Sequence, residues 1–233
     1  LLVTDPETEL RRIEATNGGL LDDSFRWVLS NAEFQKWQSS SQSQLLWIKG
    51  DPGKGKTMLM IGIIKELAQQ IQSQPSQSIA YFLCQATDPR LSNATSILRS
   101  LIYMLIQQQP HLISYLREKY ETDPKLFESR NTFYSLSAIF EKMIQNFTHA
   151  MTYLLVDALD ECETDLFDLL RLIARTILLS ADKRRFGQYA LTSLPNHCTC
   201  FSQTRHRLAM TEHASKPTVC TSATVPRASN LTP

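Results

Sequence analysis

The run Gly50-Asp51-Pro52-Gly53-Lys54-Gly55-Lys56-Thr57 constrains this chain more than any other stretch, because it fits the pattern G-x-x-x-x-G-K-[ST] at every fixed position. Glycines let a backbone curl so that successive N–H groups face one anion, and the start of a following helix adds partial positive charge. Such a loop has to lie between a strand and a helix, and both are legible here. Leu45-Leu46-Trp47-Ile48 is a short apolar run ending in the Gly/Pro cluster, as a buried strand does. Met60, Ile63, Ile64, Leu67, Ala68 and Ile71 recur at spacings of three and four, which predicts a helix stopping at Ser73-Gln74-Pro75-Ser76. A plain turn from strand to helix has no use for Lys-Thr after its last glycine. The expected nucleotide-binding residues are therefore Gly50, Asp51, Pro52, Gly53, Lys54, Gly55, Lys56, Thr57 and Met58. Lys56 is expected on the β and γ phosphates, and the Thr57 hydroxyl on magnesium.

The periods elsewhere alternate in the same way. Residues 79–84 and 153–156 read as apolar strands, and residues 189–192 as a fourth. Between them, Ile97, Leu98, Leu101, Ile102 and Leu105 mark a helix closed by Pro110, Leu136 to Phe147 mark another, and Leu166 to Ile177 a further one. Strands separated by helices need crossovers, so the expected fold is α/β, a three-layer P-loop NTPase fold with a mainly parallel sheet, incomplete at its C-terminal end. The third strand runs into Asp157-Ala158-Leu159-Asp160-Glu161. A carboxylate at the end of a buried strand beside the loop strand suits magnesium, which assigns Asp157 to the metal. Asp160 or Glu161 then orients the attacking water, with Glu161 the preferred residue. Acidic residues at a strand-to-helix junction are often solvated caps, and only the phosphate loop upstream reverses that reading here.

Charge and hydropathy exclude other classes. The 24 Lys and Arg nearly balance the 23 Asp and Glu of the 233 residues, which gives no electrostatic case for nucleic acid or an anionic membrane. The longest apolar run, residues 58–64, is far short of the ~20 needed to span a bilayer, and no basic-then-apolar leader opens the chain. A cytoplasmic protein is expected. Position 1 is Leu rather than Met, which suggests a fragment.

Near residue 194 the periodicity stops. No glycine lies beyond Gly187, while Cys198, Cys200, Cys220, His197, His206 and His213 all lie beyond Pro195. The expected organisation is a helical lead-in over residues 1–40, the P-loop core over 41–194 and a poorly ordered tail over 195–233, as a reading-frame shift or a retained intron would leave. The tail's Cys and His lack the usual zinc spacings. In the lead-in, Trp27, Phe34 and Trp37 form a stripe at near-helical spacing that reads as core packing, with a partner-docking face as the other reading.

Asp5-Pro6, Arg12-Ile13-Glu14, Asn17-Gly18-Gly19-Leu20-Leu21 and Trp27, together with the loop, Ala86-Thr87-Asp88, Leu98-Arg99-Ser100-Leu101-Ile102 and residues 155–162, resemble a fungal NACHT domain. This is a STAND-class P-loop NTPase module related to NOD-like receptors and to the nephrocystin-3-like N-terminal module. The resemblance runs over roughly residues 3–193. It implies an ATP- or GTP-driven switch whose nucleotide state controls self-association, with an effector before the NTPase and sensor repeats after it. It assigns Lys56 and Thr57 to phosphate and magnesium, Asp157 to the metal, and Asp160 and Glu161 to hydrolysis. It also makes Asn17, Gly18 and Gly19 neighbours of the nucleotide, against the alternative of a simple turn. The family's Ser-Ser-Arg element is replaced by Thr192-Ser193-Leu194, without the Arg that senses the γ phosphate. That departure leaves a second reading open, a non-hydrolysing nucleotide-binding or interaction fragment. A metabolic kinase is a third reading, and no acceptor-substrate motif supports it.

Overall fold

In the computed structural model, which describes residues 1–180, 186–193 and 218–221, the strands lie in the order β2-β3-β4-β1-β5. These are β1 (Gln44–Lys49), β2 (Gln77–Leu83), β3 (Met151–Asp157), β4 (Phe186–Ser193) and β5 (Thr218–Thr221). The first four are mutually parallel, and β5 runs antiparallel along β1 from Lys49↔Thr218 to Leu46↔Thr221.

The period-two geometry of a strand sorts its side chains between two helical layers. Leu46 and Ile48 of β1, and Tyr153 and Leu155 of β3, pack with α1 (Pro6–Thr16), α2 (Asp22–Leu29), α3 (Ala32–Ser39) and α4 (Lys56–Gln72). Leu45 and Trp47, and Leu154 and Val156, pack with α5 (Ala94–Gln108), α7 (Thr132–Gln145) and α8 (Leu166–Ser180). Every residue of β1 is buried, as expected for a parallel strand covered on both sides. The expected three-layer α/β fold is therefore the one observed. One helix, α6 (Ile113–Thr122), was not expected: it fully buries no residue, and its few apolar positions, such as Ile113 and Leu116, are set among charged ones. Among the described residues no helix is long and apolar enough to cross a membrane.

One expectation needs correction. The aromatic stripe of Trp27, Phe34 and Trp37 belongs to two helices, because Asn31 interrupts it. Its side chain accepts from the amides of Glu33 (3.0 Å) and Phe34 (3.3 Å) and so starts α3 afresh. Phe34 and Trp37 are core residues, and the Trp37 indole donates to the Tyr189 carbonyl at 3.1 Å, tying α3 to β4. Within the span 195–233, the described residues Thr218–Thr221 pair with β1 and bury Val219. A four-residue strand leaves no periodicity to read, and its order comes from the edge of β1 rather than from its own sequence. Cys198, Cys200, His197, His206 and His213 lie outside the described residues.

The contact that seats α2 on α4 is at Gly62, where an added Cβ would meet Phe25 Cγ at 2.3 Å and Phe25 Cβ at 2.8 Å. Those atoms sit close to the α2 backbone and cannot swing aside. Gly62→Ala is therefore expected to destabilise the chain by about 1–3 kcal/mol through overpacking, despite alanine's better helix propensity. Urea unfolding measures it, and a variant as stable as wild type would contradict this packing.

Candidate nucleotide site

The loop leaves β1 and turns into α4 through two backbone positions that only glycine adopts readily. Gly53 has φ +74° and Gly55 φ +75°, while a Cβ at either would meet nothing within 4 Å, so conformation and not space demands glycine there. Gly55 caps α4 without any side-chain hydrogen bond, which leaves the helix's leading N–H groups to whatever occupies the loop. The Lys56 ammonium folds back across the loop and donates to the carbonyls of Gly50 (2.6 Å) and Asp51 (3.0 Å).

A cleft of about 460 Å³ opens at this point. Pro52, Gly53, Gly55, Lys56, Thr57 and Met58 line one side, and Ala158, Asp160, Glu161 and Thr192 the other. The structure thus brings the loop and the acidic cluster together. Lys54 does not line the cleft, and Gly50 and Asp51 serve through the carbonyls that hold Lys56.

Of the segment 17–19, Asn17 reaches the cleft while Gly18 and Gly19 do not. The two glycines, at φ +82° and +86°, form the turn that ends α1. Helix α1 is held over the site by Lys65 of α4, which binds the Glu14 carboxylate at 2.6 and 2.7 Å, and by Arg12, which donates to Gln85 Oε1 at 2.7 Å.

Asp157 ends β3 and is 1% exposed. The sheet corrects one detail of its placement, because β4 lies between β3 and β1 and the acid strand is not beside the loop strand. The intervening strand brings Thr192 to the site. Its hydroxyl donates to Asp157 Oδ1 and accepts from the Ala158 amide at 2.7 Å. Asp157 Oδ2 has no hydrogen-bond partner among the described residues, although it is buried. Burial pushes the carboxyl's pKa up, and the neighbouring donors, the Thr192 and Thr57 hydroxyls and the Ala158 amide, offset part of that rise. A buried, orphaned carboxylate oxygen near a threonine hydroxyl is a donor set that fits a hard divalent cation.

Ala158 adopts a left-handed conformation at φ 49°, which a residue with a Cβ adopts only under constraint, and the chain then turns through Leu159–Glu161. Glu161 Oε2 accepts from the Ala86 amide at 2.8 Å, so the loop after β2 holds the carboxylate at the cleft. The nearby thiols of Cys84 and Cys162 are both buried. Burial pushes Cys84 well up and Cys162 up to about 11, which keeps both protonated and unreactive.

The profile of the family described as "Nephrocystin 3, N-terminal" matches residues 23–188. The chain belongs to this family. In it, the matched stretch takes in the phosphate loop, the acidic cluster after β3 and the first residues of β4. A curated relative, "Vegetative incompatibility protein HET-E-1" of Podospora anserina, is 53% identical over 182 residues, which are 78% of this chain and 13% of the relative. This member of the nephrocystin 3 N-terminal family therefore spans about an eighth of that relative's length. Family and relative together place the chain with the fungal NACHT-type proteins and their P-loop NTPase core. A solved structure, "Structure of Drosophila ORC bound to DNA", is similar over 85% of this chain and 42% of that one, at 17% identity and a TM-score of 0.43.

Proposed function

We propose that the chain is the nucleotide-binding switch of a NOD-like signalling receptor, taking ATP or GTP with magnesium, hydrolysing it slowly and using nucleotide state to control self-association. The observation that carries this reading is one cleft lined by the start of α4, Lys56, Thr57 and the acidic turn, with the buried Asp157 just behind it, bonded to the cleft residue Thr192. Gly53, Gly55 and the leading amides of α4 hold the β phosphate, and Lys56 exchanges its two loop carbonyls for the β and γ phosphates. Magnesium, when bound, neutralises charge between those phosphates. Thr57 and Asp157 Oδ2 are its holders from the protein. Asn17 stands where the nucleoside end enters. Asp160 and Glu161 face the γ-phosphate end, and Glu161 orients the attacking water through the oxygen not bound to Ala86.

Glu161→Gln is expected to lower turnover by about 100-fold or more while leaving nucleotide affinity within about threefold, since the amide still accepts from Ala86 but no longer draws a proton from water. Phosphate release and equilibrium binding read the two quantities separately. Sedimentation of the trapped variant should then show the same self-association in ATP or GTP that wild type shows only before hydrolysis. A second reading, a nucleotide-binding fragment without turnover, is favoured by the engagement of Glu161 with Ala86 and by Leu194 standing where the family carries its Arg. Wild-type protein that binds nucleotide without releasing phosphate would establish that second reading.

A further inference from the structure

The acid that serves the metal has a built support that the sequence pattern does not assign. Strand alternation puts Thr192 on the face of Ala190 and Asp157 on the face of Leu155, so both point toward α4 and the phosphate loop. Thr192 is 0% exposed as a residue, yet it borders the cleft. Its one hydroxyl proton goes to Asp157 Oδ1, and its oxygen accepts from the Ala158 amide at 2.7 Å. Both capacities of the hydroxyl are thereby used on neighbouring groups of the same strand end.

We infer that Thr192 is a positioning residue for the metal site: it fixes the Asp157 carboxylate so that Oδ2 alone faces the cation, and it anchors the left-handed Ala158 turn that presents Asp160 and Glu161. Without the hydroxyl, Asp157 loses the bond that holds Oδ1, and the Ala158 N–H loses the acceptor that Thr192 supplies. Valine keeps the shape of threonine and removes both bonds, while serine keeps both. This inference rests on the reading of Asp157 as the magnesium-serving acid.

The test uses the whole 233-residue chain with a fluorescent ATP analogue, titrated in EDTA and in magnesium chloride. Thr192→Val is expected to bind the analogue within about threefold of wild type in EDTA, and to lose about tenfold or more of the affinity that magnesium adds. Thr192→Ser is expected to keep the full magnesium gain. A Thr192→Val protein with an undiminished magnesium gain would overturn the inference. So would one whose binding falls equally with and without metal, because the hydroxyl would then only prop the fold. Asp157→Asn serves as the separate control: if it keeps the magnesium gain, the metal reading itself fails, whatever Thr192 does.

Discussion

Lys56→Ala is expected to weaken binding of the magnesium–nucleotide complex by about 100-fold or more, with the fold intact. The lysine is half-buried at the head of α4, and its ammonium is held by two backbone carbonyls, Gly50 at 2.6 Å and Asp51 at 3.0 Å. Those bonds keep the charge poised in the cleft, but at a site open to water they contribute only about 1 kcal/mol each to stability. Their loss is small beside the loss of a positive charge from phosphates held by backbone dipoles. Unfolding midpoint and affinity should therefore separate, the first nearly unchanged and the second collapsing. Unchanged affinity would remove the loop from the binding site.

The second large effect is at Asp157, where function and stability should move in opposite directions. The carboxyl is buried with one oxygen orphaned, and burial raises its pKa above the ordinary 3.8. The folded chain thus holds this proton to higher pH than the unfolded chain does. Stability from this group is full below 3.8 and is lost as pH rises through the raised value. The ionised form is a buried charge that a divalent cation would neutralise. Asp157→Asn should abolish the magnesium dependence of nucleotide binding, yet unfold within about 1 kcal/mol of wild type or above it when metal is absent. The difference between the two proteins' stabilities should shift further in favour of the variant as pH is raised from about 4 to about 8. Thermal unfolding in EDTA across that range checks it, and a variant that loses stability relative to wild type as pH rises would contradict the account.

The parts of the site set by local rules were legible in the sequence. Gly53 and Gly55 announce a loop that needs positive φ, Lys-Thr announces its ligand, and the end of an apolar strand announces a buried acid. What could not be read were contacts between segments far apart in the chain. Thr192 looked like a failed match to a family element, and only the sheet order, with β4 between β3 and β1, shows it bonded to Asp157. The same holds for the Ala86 amide on Glu161, since a backbone donor leaves no trace in residue type. Gly62 was merely a glycine inside a predicted helix, and its reason lies in Phe25, 37 positions earlier and in a different helix. Edge strand β5 had the weakest signal, four residues whose partner is β1.

The central claim is that the cleft beside Lys56 and Asp157 takes a magnesium nucleoside triphosphate. Calorimetric titration of the chain with ATP and with GTP, at matched magnesium and again in EDTA, tests it most directly. The account predicts one site per chain, tighter with magnesium than without for at least one of the two nucleotides, and lost in Lys56→Ala. Absence of binding by both nucleotides, or binding indifferent to both magnesium and Lys56, would contradict it.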